Sequence, residues 1–204
     1  IHNAAKKAKK KIFVNKDKEA AVIIPGKKPI LDGLRIIISH IDSPRLDLKQ
    51  VPIYEESSCN CALFETHYYG GIKKFHWVVV PLAIHGVVVT KNGKKIYFNI
   101  GEKDIDPVFA VPDLLPHLSH KVQDEKKIDE AITGESLDII IGSEPIKGDY
   151  SDKIKTAIIE KLFKDYGITE EDFISAELEA VPAFKAKDLG FDLSMVAAYG
   201  QDDR

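Results

Sequence analysis

Short apolar runs separated by turn-forming residues dominate the chain, and most cluster in the manner of strands rather than helices. Ile12–Val14 and Ala20–Ile24 read as two strands around the turn Asn15-Lys16-Asp17-Lys18. After the breaks at Pro25-Gly26 and Pro29, the stretch Leu34–Ser39 carries Ile36, Ile37 and Ile38. That run is too short for an ordinary helix and rich in β-branched residues, which predicts a strand buried on both faces of a parallel or mixed sheet. Further runs follow at Cys61–Thr66, Trp77–Val80, Val87–Thr90 and Ile96–Ile100, with Asn92-Gly93 predicting a type I′ hairpin. Pro81 and Gly86 divide Trp77–Thr90 into two strands or kink it as an edge strand.

Helical patterning is scarce between residues 50 and 110. Pro112 and Pro116 permit a short turn at Asp113–His117, Lys121–Ala131 reads as a charged surface loop or short helix, and Leu137–Ile141 as a buried strand. Ser151 then caps an amphipathic helix whose stripe is Ile154, Ala157, Ile158 and Leu162, ended by Gly167. Thr169-Glu170-Glu171-Asp172 opens a second turn, and Ile174–Val181 alternates as a strand. Residues 2–11, with five lysines, read as the tail of a helix.

The change of texture near residue 47 predicts two parts. Residues 1–46 and 188–204 form part of an α/β domain with a mixed sheet and helices, and residues 47–187 form a β-rich domain inserted into it. At 204 residues and 44% hydrophobic, the chain can bury one sizeable core or a core and a smaller one. A formal net charge of −3 gives no bulk attraction for nucleic acid, and no apolar run is long enough to cross a membrane as a helix. Cys59 and Cys61, the only cysteines, are read as small buried hydrophobes on one face of a strand, unsuited to a mutual disulfide. They suggest a reducing, cytoplasmic setting.

Candidate chemistry gathers where apolar runs end. His40 and Asp42 follow Ile36–Ile38, and in an open α/β sheet the residues past a strand's carboxyl end face the ligand crevice. An imidazole and a carboxylate there suit a metal ligand with its orienting partner; a polar loop with Asp42 capping a turn is the alternative. Asp202 and Asp203 follow the apolar stretch Met195–Ala198 in the same way. With Ile1 at one end and an unresolved core pattern at the other, the sequence reads as the front part of a longer protein.

Four segments, in order, carry a resemblance: His40-Ile41-Asp42-Ser43-Pro44; Thr66-His67-Tyr68-Tyr69-Gly70-Gly71; Asp106-Pro107-Val108-Phe109 with Pro112-Asp113-Leu114-Leu115-Pro116-His117-Leu118; and Gly200-Gln201-Asp202-Asp203-Arg204. The chain resembles the aspartyl aminopeptidase family, and in its YYGGIKK and DLLPHL forms the bacterial branch. The resemblance implies a dizinc exopeptidase, with cobalt or manganese as alternative occupants, acting on peptide substrates. It implies that the β-rich insert is a dimerisation domain and that self-association reaches a homododecamer built from dimers. By the same resemblance His40 binds one zinc, Asp42 orients its imidazole, Asp202 bridges both zincs, and His117 reaches a neighbouring subunit's active site. Tyr68, Gly70 and Gly71 shape a substrate pocket, or serve only a tight turn. An adjacent pair of glutamates, a later aspartate and a final histidine complete the family's site and are expected beyond Arg204. The alternative from another class is a catalytically inactive assembly or binding subunit of the same fold.

Overall fold

The computed structural model describes residues 10–16, 18–40 and 43–199, which belong to two units: residues up to 40 in the first and 43–199 in the second. The helix tail expected over residues 2–11 lies mostly outside the described residues, and Lys11 already belongs to a strand.

In the first unit, β1 (Lys11–Asn15) and β2 (Glu19–Ile23) form the expected antiparallel hairpin, in register from Lys11↔Ile23 to Asn15↔Glu19. Lys18 N–H donates to the Asn15 carbonyl at 3.0 Å and closes the turn. A 3₁₀ turn follows at Ile30–Asp32. The strand expected at Leu34–Ser39 is not formed: residues 33–40 have no regular structure, and Ile36, Ile37 and Ile38 are 73%, 96% and 90% exposed. A strand exists by pairing, and none of the described residues pairs with this run. The mixed sheet expected of this part is likewise absent among the described residues, where every strand ladder is antiparallel.

The second unit is a six-stranded sheet carrying helices, so the chain as a whole is mixed α/β. Its strands are β3 (Arg45–Glu56), β4 (Cys61–Tyr69), β5 (Leu82–Val89), β6 (Lys95–Ile100), β7 (Ile139–Gly142) and β8 (Glu177–Pro182), in the order β6-β5-β8-β3-β4-β7. β3 begins by alternation: Leu46 and Leu48 face the core, while Arg45, Asp47 and Lys49 face the other way. Between Leu48↔Thr66 and Ile53↔Phe64 the register shifts, so that residues 49–52 of β3 stand opposite Glu65 alone. Pro52 is fully buried in that bulge, where no ladder bond is asked of it.

β5 and β6 form the hairpin expected around Asn92-Gly93, but by a different turn. Thr90 N–H donates to the Lys94 carbonyl at 2.9 Å, leaving a three-residue loop. Gly93 has φ 81° and Asn92 is not left-handed, whereas type I′ needs both. The break expected at Gly86 is also corrected. β5 runs unbroken through it and lies inside the sheet, between β6 and β8. Gly86 is needed because a Cβ there would stand 2.0 Å from the Glu177 carbonyl oxygen on β8.

The ladder joining the two halves of the sheet is short. β3 pairs with β8 only at Leu46↔Ala180 and Asp47↔Glu179. A second tie comes from the segment after β6: Phe109 bonds Leu82 of β5 in both directions, and the Ala110 carbonyl accepts from Ile140 of β7 at 3.0 Å. The core fills this sheet's inner face, with Leu46, Leu82, Val88, Val111, Leu137, Ile139 and Ile168 fully buried.

Two short helices, α1 (Pro116–Ser119) and α2 (Ile128–Ala131), precede the long α3 (Lys153–Tyr166). Ser151 does not cap α3. The N-cap is Asp152, which makes no side-chain cap bond, and Glu55 of β3 supplies the acceptor instead. Its carboxylate takes the N–H groups of Ile154 (2.8 Å) and Lys155 (3.0 Å), satisfying orphan donors and the positive helix end together. Ile154 is buried, and Leu162 joins Ile159 and Tyr166 against the core. The chain continues through the exposed hairpin β9 (Lys187–Leu189) and β10 (Met195–Ala197), and Tyr199 returns edge-on to Trp77 at 5.9 Å.

The turn opened by Thr169 is a 3₁₀ segment, Glu170–Ser175, with a reciprocal cap. Buried Asp172 accepts the Thr169 N–H and hydroxyl, each at 2.9 Å, and the Lys91 N–H of the β5–β6 loop, also at 2.9 Å. The Thr169 backbone N–H foremost holds its carboxyl below the usual carboxylate range. Because the folded pKa is depressed, this stability is present above the ordinary carboxylate range and lost as pH falls through the folded value. Asp172→Asn is expected to cost about 1–2 kcal/mol at pH 7, with the gap to the parent closing in acid. Urea unfolding across a pH series checks this; a gap that ignores pH would contradict it.

Candidate functional site

The start of β3 and the end of β4 lie side by side, because the antiparallel register sets Arg45 opposite Tyr69 and Leu46 opposite Tyr68. The expected substrate-pocket residues gather here. The Tyr68 ring stacks with His67 at 5.5 Å and covers Gly134, and it is 39% exposed at the sheet's end. Gly70 sits against Pro44, whose Cα would be 3.4 Å from an added Cβ; around Gly71 there is open space. Of the three, Gly70 borders the chain just after Asp42 in sequence.

The remaining expected residues are placed less completely. His40 is exposed at the end of the irregular stretch in the first unit. Asp42 and Asp202 lie outside the described residues. His117 is exposed on α1, which begins three residues later than the turn expected at Asp113–His117. Its helix is fixed from both sides: Ser119 Oγ donates to Asp124 at 2.7 Å, and Asp113 accepts the Leu114 N–H (2.8 Å) and Gln123 Nε2 (2.9 Å). Upstream, Asp106 ties the loop after β6 by accepting the N–H groups of Lys103 (3.1 Å) and Gly101 (3.2 Å). The Lys103 N–H foremost keeps that carboxyl below its usual range. Among the described residues, no group of three or more His, Cys, Asp and Glu side chains could hold a metal ion. No helix among them is long and apolar enough to cross a membrane.

Sequence reasoning passed over Arg45. Cross-strand partners share a face of the sheet, so the pairs Asn99↔His85, His85↔Glu179, Glu179↔Asp47 and Asp47↔His67 form one polar row across five strands. At its centre two carboxylates stand opposite each other. Arg45 Nε lies 2.7 Å from Asp47 Oδ1 and 3.4 Å from Glu179 Oε2, and its guanidinium carbon is 3.9 Å above the Tyr69 ring. Nη1 also donates to the Ser43 carbonyl at 3.5 Å. Farther along the row, His85 Nε2 and Glu102 Oε1 are 3.0 Å apart. The signal was available: Arg45-Leu46-Asp47 alternates on a strand, which puts arginine and aspartate on one face.

An apolar groove of about 740 Å³ lies elsewhere, lined by Phe64, Ile84, Phe98, Ile140 and Leu162 among others, with none of the expected site residues.

Comparison with known proteins gives a consistent result. The family description "Aminopeptidase I zinc metalloprotease (M18)" matches residues 2–204. A relative from Borrelia garinii subsp. bavariensis, named "Probable M18 family aminopeptidase 1", is 52% identical over 195 residues, covering 95% of this chain and 42% of its own length. One of the same name from Clostridium acetobutylicum is 54% identical over 191 residues, covering 93% and 40%. Among solved structures, aminopeptidase I from Clostridium acetobutylicum superposes with a TM-score of 0.82 at 53% identity, over 93% of this chain and 41% of that one. The Thermotoga maritima M18 aminopeptidase gives 0.76 at 51%, over 81% and 36%. The chain thus spans about two fifths of the length of these relatives.

Arg45→Lys keeps the charge but loses the planar fork and the stacking on Tyr69. A loss of about 1 kcal/mol is expected, small because water screens the partly exposed carboxylates. Thermal unfolding measures it; a substitution as stable as the parent would show that Arg45 does not hold the seam.

Proposed function

Because the chain belongs to the aminopeptidase I zinc metalloprotease family (M18), we propose that the complete protein is a metalloaminopeptidase that removes N-terminal residues from peptides, of which this chain is an incomplete portion. The observation that carries this reading is the match over residues 2–204, with the four segments in order within it. Relatives at about half identity that are named aminopeptidases do not favour the inactive-subunit alternative.

In this reading two zinc ions are held, with cobalt or manganese as alternative occupants. His40 and Asp202 are two of the ligands, and Asp42 anchors the second imidazole nitrogen. The donor types suit zinc: a neutral imidazole and a carboxylate with two oxygens. The described residues contain one member of this set, exposed His40. Bound zinc supplies a Lewis acid and a water of lowered pKa. The chain's own residues do the rest. Tyr68, Gly70 and Gly71, at the strand end beside Pro44, border the substrate, and His117 offers an imidazole to the active site of a neighbouring copy.

Residues 1–46 and 188–204 belong in this proposal to the catalytic domain, and residues 47–187 to an inserted dimerisation domain. Dimers through that insert build a homododecamer, in the cytoplasm, without nucleic acid or membrane as partner. The exposed α1 segment, with Leu114, Leu115 and Leu118 all about half exposed beside His117, suits such an intersubunit role.

In the complete protein, His40→Ala is expected to reduce bound zinc and to lower peptidase kcat/KM by at least about 100-fold, as chelation does. Metal analysis and a peptide assay check both, and full activity without zinc would refute the reading. His117→Phe is expected to lower kcat by about 100-fold while zinc content stays at the parent's value. Unchanged kinetics would remove His117 from the site.

A further inference from the structure

The six-stranded sheet ends in two edge strands, β6 and β7, and they differ. β7 is covered: Ile140 N–H donates to the Ala110 carbonyl at 3.0 Å, so the strap of Phe109–Val111 lies along it. β6 is open. Its ladder to β5 runs without a shift from Ile100↔Ile84 to Lys95↔Val89, and among the described residues no backbone hydrogen bond outside that ladder involves Lys95–Ile100. Neither a proline nor a bulge blunts it, and a regular edge of this kind is a template for another strand.

The side chains of β6 add a second observation. Alternate residues of a strand point to opposite faces. Phe98 is buried, 5.0 Å from the Tyr166 ring of α3, whereas Tyr97 is 69% exposed and Asn99 is exposed as well. All three nevertheless line the same apolar groove of about 740 Å³, together with Leu162 of α3. A groove reached from both faces of one strand opens along that strand's edge. The space beside β6 therefore suits one more strand, with apolar side chains on the face towards α3.

We propose that this edge pairs with β6 of a second copy of this chain, antiparallel about a two-fold axis at Tyr97. A two-fold perpendicular to the sheet keeps each face common to both copies, so the axis falls where a residue faces itself. With Tyr97 there, Ile96 stands opposite Phe98 of the second copy and Lys95 opposite its Asn99. Apolar side chains meet on the inner face and polar ones on the outer face. Lys95 is the one charged residue of the strand, and it faces an amide oxygen that accepts from it, so no like charges oppose each other. An axis at Phe98 would set Lys95 against Gly101, which has no side chain to accept. This self-complementarity selects a second copy over an unrelated extended peptide. The inference rests on the self-association in the proposed function and names a surface that carries it.

The complete protein is used for the test. Tyr97→Cys, oxidised with diamide, is expected to link two chains, because residues directly opposite have Cβ atoms on the order of 5 Å apart, near the reach of a disulfide. Mass spectrometry of a tryptic digest is expected to find position 97 joined to itself. Lys95→Cys alone is expected not to join itself, whereas Lys95→Cys combined with Asn99→Cys is expected to link 95 to 99. Tyr97→Lys sets like charges across the axis and is expected to raise the concentration at which the assembly dissociates by at least about fivefold, measured by sedimentation. Tyr97→Phe is expected to assemble as the parent does. The proposal is overturned if position 97 does not join itself, if position 95 joins itself as readily, or if Tyr97→Lys assembles as tightly as the parent. In those cases an oligomeric parent leaves the peptidase reading and its assembly standing, whereas a monomeric parent removes this edge and that assembly together.

Discussion

Two antiparallel half-sheets, β6-β5-β8 and β3-β4-β7, meet along a ladder of two residue pairs, and one of those pairs sets aspartate against glutamate. Like charges placed directly across a sheet repel, so the join would be weakest where it is shortest. The guanidinium of Arg45 removes the conflict. It contacts both carboxylates, lies on Tyr69 of the next strand and donates to the carbonyl of Ser43. One side chain therefore spans β8, β3 and β4 and holds the chain where it enters the sheet. The strap at Phe109–Val111 ties β5 to β7 a second time, and it leads directly into the segment that carries His117. The course of the segment that carries His117 thus follows from how the halves are joined.

The β-rich unit was legible in its sequence because its signals are local. The loop at Asn92-Gly93 and the capping pattern Thr169–Asp172 each act within a few residues, whereas the equally local alternation at Arg45–Lys49 was passed over. What was misread depends on distant partners. Ile36–Ile38 has the composition of a buried strand but finds no pairing partner among the described residues. Ser151 precedes the helix as a cap should, yet the acceptor comes from Glu55, almost a hundred residues earlier. Gly86 looked like a break and is instead the place where a neighbouring backbone passes too close for a side chain.

The candidate site divides in the same way. His40, Asp42 and Asp202 were picked out by residue type and order. Their mutual geometry is not a local property, and Asp42 and Asp202 lie outside the described residues. Tyr68, Gly70 and Gly71 were singled out through a motif, and the β3–β4 register, which ends with Arg45 opposite Tyr69, brings Gly70 against Pro44. Cys59 and Cys61, expected buried on one face of a strand, were misassigned: Cys59 lies exposed in the turn of residues 57–60 and only Cys61, partly exposed, is on β4.

The bulge around Pro52 bears on how the unit reaches its fold. A hairpin as long as β3–β4 can zip in neighbouring alignments, and a slip by one residue carries every side chain to the opposite face. Four residues of β3 against one of β4 leave a single alignment in which the proline, with no N–H to give, avoids the ladder. A one-residue slip would turn Leu46 and Leu48 towards water. The irregularity in the middle of the hairpin thereby acts as a key: it spoils the mispaired zippers and leaves the correct one to close.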